Sequence, residues 1–526
     1  MRKVIAIGLA VLATLVIGTF AGAARAASNF DCDEAWSLCA EPSDSIGYNG
    51  TYTGHDEPSL LFYSATAGSG NSSIYQLTLP DESRTLPNQQ GTGGTWNFQL
   101  HPAFWLGMAL CDNQSAPEFT HDPCVADSDT NIKDGEDPSQ ADYIGKHAGT
   151  AFLELQFYPP GWAPWPPGVS CDAHKWCAAM AMFSFNRNQN TGENNNGDCL
   201  GRVGIEPVNF AFITLSGTPH APPSPLGATG DTFTPHSSSD LFMNANDKLV
   251  VDMHDSGAGL VTVIHDLTTG SVGSMTASAA NGFAQVNYDP SASTCTENPY
   301  GFHPMYSTSS EHTRVPWAAH SYNVAFSDEI GHFEYCNSVP VEGDVCADPG
   351  ANDDDVPCFS SAFSLLVRIG GCIGTDNDFD GVPYQPVWPG TNRNHGQDTK
   401  FHADPVVFSS PLFNGTQSYN RVAFEADLPR IEAADFGGQC DRNTGENCVN
   451  PPPGANFYPI YSTSRPNHNS CFWQIGGPYN PHTTNTFGGN STAEFGPLLL
   501  SLYPNVGFVP LHRYNNFRQI LSTNPC

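Results

Sequence analysis

The chain is poor in charge, and poorest in positive charge. Asp, Glu, Lys and Arg make up 14% of its 526 residues, with 20 Lys and Arg against 53 Asp and Glu, for a net charge of −33. That balance repels nucleic acid and anionic membrane surfaces, so neither is expected as a partner. After the first two dozen residues no apolar run is long enough to span a bilayer. No stretch keeps apolar residues at i, i+3, i+4 and i+7 over several turns, and 50 Gly and 43 Pro punctuate the chain. Long helices are therefore excluded, and the best short helical pattern is Trp176–Met182. The chain also lacks H-E-x-x-H, H-x-H, C-x-x-C, a P-loop and a G-x-S-x-G elbow. These absences remove the usual zinc, nucleotide and α/β-hydrolase readings.

What is present begins with an export signal. Met1-Arg2-Lys3 precedes an apolar run from Val4 to about Ala21, and Ala24-Arg25-Ala26 follows as a small-residue cleavage site. Residues 1–27 read as a secretory signal peptide, which makes the mature protein secreted, with no membrane association once the signal is removed. Cutting there leaves the chain three charges more negative still. All 16 cysteines follow the signal. An even count in an exported chain predicts disulfides, and close neighbours such as Cys171/Cys177 and Cys440/Cys448 are placed to close local loops.

Short segments bounded by Gly, Pro, Asn, Asp or Ser dominate the rest. Ser73–Leu79, Ala151–Tyr158, Val208–Leu215, Lys248–His254, Leu260–Asp266, Ser321–Ser327, Arg421–Ala426 and Leu498–Tyr503 read as strands. In Lys248–His254 the apolar Leu249, Val251 and Met253 alternate with Lys248, Asp252 and His254. The turn Asp255-Ser256-Gly257-Ala258-Gly259 then leads into Leu260–Asp266, a hairpin with one buried face. The expected fold is all-β, with disulfide-rich β-sandwich or jelly-roll modules joined by long Gly/Pro/Asn-rich loops. A proline-rich link near 218–225 and an acidic, Gly- and Pro-rich stretch from 340 divide the chain. The expected domains are 28–225, 226–340 and 341–526, the last a partial repeat of the middle one. Phe302-His-Pro-Met-Tyr-Ser-Thr-Ser matches Phe457-Tyr-Pro-Ile-Tyr-Ser-Thr-Ser in support of that repeat.

The densest group of reactive side chains lies between Phe302 and Cys336. It holds His303, His312, His320 and His332, Arg314 and Trp317, and the acids Glu311, Asp328, Glu329 and Glu334. Strand alternation brings Asp328 and Glu329 to the end of one strand, with His320 and His332 nearby. Two carboxylates in different environments divide acid and base roles, as cleavage of a glycosidic bond requires. A second group follows Ala151: Glu154 and Gln156 share one strand face, and Trp162 and Trp165 stand in the proline-rich loop after it. A carboxylate and an amide flanked by indoles suit a sugar, whose C–H faces stack on aromatic rings. Catalytic candidates are thus Glu154, Asp328, Glu329, His320 and His332, with Gln156, Trp162, Trp165, Arg314 and Trp317 binding substrate.

Asp376-Asn-Asp-Phe-Asp-Gly381 has the D-x-D-x-D-G spacing of a calcium loop, with Asp376, Asp378 and Asp380 as ligands. Its twelfth position is Val387, which rules out an EF-hand and leaves a structural calcium site. The leading expectation is a secreted protein acting on extracellular polysaccharide or another glycan, as a glycoside hydrolase. The alternative is a lectin-like or structural surface protein held by disulfides and calcium. A copper oxidase using only histidines, drawn from His254, His265, His303, His320 or His332, ranks third.

Overall fold

The structure, a computed structural model, describes residues 55–56, 59–64, 66–81, 104–115, 117, 124–127, 150–158, 160, 171–172, 174–188, 193–305, 324–328, 330–331, 406–428, 461–467, 470–475, 499–502, 513–521, 524 and 526. Among these the chain forms the following strands, in order. The first seven are β1 (His55–Asp56), β2 (Ser59–Tyr63), β3 (Ser72–Thr78), β4 (Phe104–Cys111), β5 (Thr150–Tyr158), β6 (Cys177–Phe183) and, after the short helix α1 (Gly197–Val203), β7 (Val208–Phe212). Next come β8 (Lys248–His254), β9 (Val261–Asp266), β10 (Val272–Thr276), β11 (Ala284–Val286), β12 (Glu297–Pro299), β13 (Ala325–Asp328) and β14 (Ile330–Gly331). The last are β15 (Val407–Ser409), β16 (Leu412–Phe413), β17 (Gln417–Ser418), β18 (Arg421–Leu428), β19 (Tyr461–Asn467), β20 (Ser470–Ile475), β21 (Leu499–Leu502) and β22 (Arg513–Leu521).

Two nine-stranded antiparallel sheets carry most of them. One runs β10-β9-β8-β3-β15-β20-β19, with β16 on β3 and β17 on β16. The other runs β21-β22-β18-β2-β13-β4-β5-β6-β7. Their inner faces meet in one apolar cluster, so the fold is the expected all-β sandwich. Tyr75, Leu77, Leu249, Val251, Met253, Ile264 and Phe408 come from the first sheet. Leu60, Phe62, Leu106, Met108, Leu153, Leu155, Met180 and Met182 come from the second. Each large apolar side chain so buried contributes about 1.5–3 kcal/mol. The seam is specific as well as oily. Phe326 stacks on Phe408 with ring centroids 3.6 Å apart, and the Tyr75 hydroxyl donates to the Ala325 carbonyl at 3.2 Å.

Strands from either side of both expected domain boundaries pair within the same sheets: β3 lies between β8 and β15, and β2 between β18 and β13. The short helical pattern at Trp176–Met182 is corrected. Residues 177–183 form β6, paired between β5 and β7. The reason is burial on both faces. Ala178, Met180 and Met182 face the main core, while Cys177, Ala179 and Ala181 join a second apolar cluster with Tyr158, Phe210 and Phe212. β4 is buried at every position too, with Trp105 joining Leu61, Tyr63 and Ala325 on the outer side. Gly107 is required there, because a Cβ would stand 2.5 Å from the Trp105 ring.

Two disulfides are described in full, Cys171–Cys177 and Cys199–Cys295. The first closes the local loop that the spacing predicted. Cys526 is also disulfide-bonded and packs against the main core.

Candidate functional site

The alternating hairpin forms as read, with β8 and β9 in register from Leu249 opposite Asp266 to His254 opposite Val261. Its turn begins at Asp255, whose N–H donates to the Asn71 carbonyl at 3.0 Å. Ser256 and Gly259 exchange backbone hydrogen bonds at 3.2 Å, and the Ser256 hydroxyl donates to the Gly259 carbonyl at 2.7 Å. Gly259 has φ +138°, and a Cβ there would stand 2.2 Å from the Ala277 carbonyl oxygen, so only glycine fits.

The segment 302–305 runs along this turn and along the end of β4. The Leu260 N–H donates to the Phe302 carbonyl at 2.7 Å, and the Cys111 N–H donates to the His303 carbonyl at 3.0 Å. A third element arrives from the loop after β4. Asp127 takes a left-handed conformation, φ 57°, and its N–H donates to the Pro304 carbonyl at 3.0 Å. Three backbone elements thus bring Asp255, His303 and Asp127 together.

His303 Nδ1 donates to Asp255 Oδ1 at 2.8 Å, with side-chain exposures of 25% and 17%. The Asp127 carboxyl is hydrogen-bonded to Asp255 as well. One ligand atom from each of the three lies within 4.8 Å of the others. Asp127 is pushed up to about 7, first by burial and then by its hydrogen bond to Asp255 and that group's charge, against the opposing pull of His303. Asp127 therefore holds its proton into the neutral range beside the Asp255 carboxyl. An acid beside a carboxylate-oriented imidazole can give a proton to one substrate atom and take one from another. The same three atoms are also close enough to bind one divalent cation, with two hard oxygens and one imidazole.

Glu154 and Gln156 share a face of β5, as the alternation predicted. Gln156 Nε2 donates to Glu154 Oε2 at 2.5 Å, and the Tyr158 hydroxyl donates to Gln156 Oε1 at 2.5 Å. The chain is buried, with Glu154 4% and Gln156 1% exposed. It is bounded by Gly107 and Ala181 across from Glu154, and by Trp105 and Ala179 across from Gln156. Asp328 ends β13 opposite Phe104. Glu329, His320, His332, Arg314, Trp317, Trp162, Trp165 and the calcium candidates Asp376, Asp378 and Asp380 lie outside the described residues.

Of the histidines named for copper, His320 and His332 lie outside the described residues. His254 bonds Asp252 at 3.0 Å and His265 is exposed on β9, while His303 is the single histidine of the one potential metal-binding group among the described residues.

The hairpin carries a second carboxyl pair at its opposite end. Asp247 and Asp266 face each other and are almost fully buried, 3% and 1% exposed. Asp247 Oδ2 accepts from the Asn244 N–H at 2.6 Å, and Asp266 accepts from the N–H groups of Thr268 and Thr269 and from the Thr269 hydroxyl. Burial first, and then the facing Asp266 carboxyl, push Asp247 up. Asp266 is held below its usual range: burial pushes it up, but the Thr269 and Thr268 donors and the Asp247 proton outweigh it.

No family model and no curated protein matches the chain. Among solved structures, the enzymatically active domain of tailspike protein 2 of bacteriophage CBA120 is matched over 68% of this chain and 33% of that chain. The identity is 10% and the TM-score 0.17. The chain spans a third of that protein's length, and a likeness at this level decides neither fold nor function.

Proposed function

We propose that this is an exported protein acting on extracellular glycans, with Asp127, Asp255 and His303 as its acid–base centre. The observation that carries the reading is the convergence of those side chains: Asp127 bonded to Asp255, and Asp255 bonded to His303. In the reaction Asp127 donates the proton it holds near neutrality, and His303, oriented through Nδ1 by Asp255, accepts one at Nε2. The site moves from the sequence candidates Glu154, Asp328 and Glu329 to residues brought together from three parts of the chain. The chemistry moves as well. Glycosidases set two carboxyls about 5 Å or more apart to flank the scissile bond, and this pair is in contact. The centre therefore works as one unit on one side of the substrate. The glycan class is supported by the export signal, the scarcity of charge and the indole-bearing loop after β5. The net charge of −33 favours neutral glycans over polyanionic ones.

A second reading follows from the 4.8 Å grouping of ligand atoms: a cation held by the same residues, whose open coordination positions take sugar hydroxyls. This is the lectin-like alternative, with a cation at a different place from the predicted calcium loop. Incubation with neutral, acidic and acetylated polysaccharides, with and without EDTA, separates the two. Products released with and without EDTA support the acid–base centre. Retention on a glycan column that EDTA abolishes, with no product, supports the cation. Neither product nor retention across the panel would overturn both.

A further inference from the structure

Two buried cysteines outside the described disulfides meet at the root of this site. Cys111 ends β4 and Cys124 lies in the loop that follows, each buried, and their thiols are neighbours. The backbone around them is fixed on both sides. The Tyr300 hydroxyl donates to the Cys111 carbonyl at 3.0 Å, and the Cys124 N–H donates to Asn113 Oδ1 at 3.0 Å. At the loop's start, Asp112 accepts from the Ser184 hydroxyl at 2.6 Å and from Gln285 Nε2 at 2.8 Å. At its end stands Asp127, three residues past Cys124.

We infer that Cys111 and Cys124 form a further disulfide in an oxidising compartment, closing the loop 112–123 and anchoring the chain three residues before Asp127. The two thiols are each other's neighbours at a place where the chain already folds back on itself. The partners Cys171–Cys177 and Cys199–Cys295 are taken. The oxidant is the disulfide of a thiol–disulfide oxidoreductase. One cysteine thiolate attacks it to give a mixed disulfide, and the second thiolate displaces the carrier. The carrier leaves as its dithiol with both electrons and both protons. Burial pushes the Cys111 thiol well above its ordinary range, which keeps it un-ionised once the loop has packed. Once made, the bond constrains the loop chiefly by removing freedom from the unfolded chain.

The pairing is independent of the proposed activity and is read without it. Wild-type protein, purified from an oxidising compartment, is denatured in an alkylating reagent without reductant, digested and mapped by mass spectrometry. The expected result is a Cys111 peptide joined to a Cys124 peptide, lighter than the separate peptides by the two thiol hydrogens. Alkylation of both cysteines, or a bond from either to any other cysteine, would overturn the inference. A Cys111→Ala, Cys124→Ala double variant tests the consequence. Limited proteolysis within residues 112–127 should speed up several-fold, and an unchanged rate would show that the bond does not hold the loop.

Discussion

The two ends of the β8–β9 hairpin hold the same pair of side chains in opposite circumstances. At one end Asp247 and Asp266 face each other, and every remaining partner is a local turn donor. At the other end Asp255 shares a hydrogen bond with Asp127, but the second partner is His303, from far along the chain, and the group is partly exposed. A carboxyl pair is therefore not a site in itself. The first pair spends its acceptors on closing turns, which stabilises the hairpin. The second gathers two carboxyls and an imidazole from three parts of the chain in a partly exposed place, which is what chemistry on a substrate requires.

The contrast is broken most sharply at Asp255. Asp255→Asn and His303→Ala should each lower turnover by about 10²-fold or more, the usual contribution of a positioned acid or base. Melting temperatures should stay near wild type in both. Next in size is the other end. Asp266→Ala strips the acceptor from three turn donors and should cost about 1–3 kcal/mol in chemical denaturation, with turnover unchanged. If Asp266→Ala silenced turnover, or Asp255→Asn unfolded the protein, the assignment of roles would be reversed.

The pH responses sharpen the contrast further. Asp127 must hold its proton to act, so turnover should fall as pH rises through about 7. A flat profile across that range would remove Asp127 as the donor. At the structural end the two partners shift oppositely. The raised Asp247 contributes stability that is present at low pH and lost as pH climbs through its elevated value. The lowered Asp266 contributes stability present above the ordinary carboxylate range and lost as pH falls below it. Asp247→Asn keeps a donor toward Asp266 with no proton to lose. Stability of that variant should decline less than wild type as pH rises, the smallest effect predicted, and an identical decline would take Asp247 out of the pair.

The hairpin was legible because one face is buried and the other is not, so Leu249, Val251 and Met253 alternate with polar neighbours. β4 and β6 were not, because both faces are buried and FWLGMALC and CAAMAMF carry no period of two. The shared face of Glu154 and Gln156 could be read from its alternation with Leu153, Leu155 and Phe157. Its burial could not, since the second cluster on that side is assembled from other strands. In the sequence Asp255 is a turn residue and His303 part of a histidine-rich stretch, and nothing local joins them. Asp127 lies beyond a strand that gave no signal, and its conformation and the β4 contacts place it. The available hint was the turn itself: Gly259 forces a close approach, and a polar residue beside such a turn is a place to look for partners.

The most direct test is to carry Asp255→Asn and Asp266→Asn side by side through two assays, product release from the polysaccharide panel and thermal melting. The predicted outcome is a crossed pattern: Asp255→Asn loses turnover and keeps its melting temperature, while Asp266→Asn keeps turnover and melts lower. Equal loss of both properties in the two variants, or full turnover in Asp255→Asn, would contradict the assignment of one end to chemistry and the other to the fold.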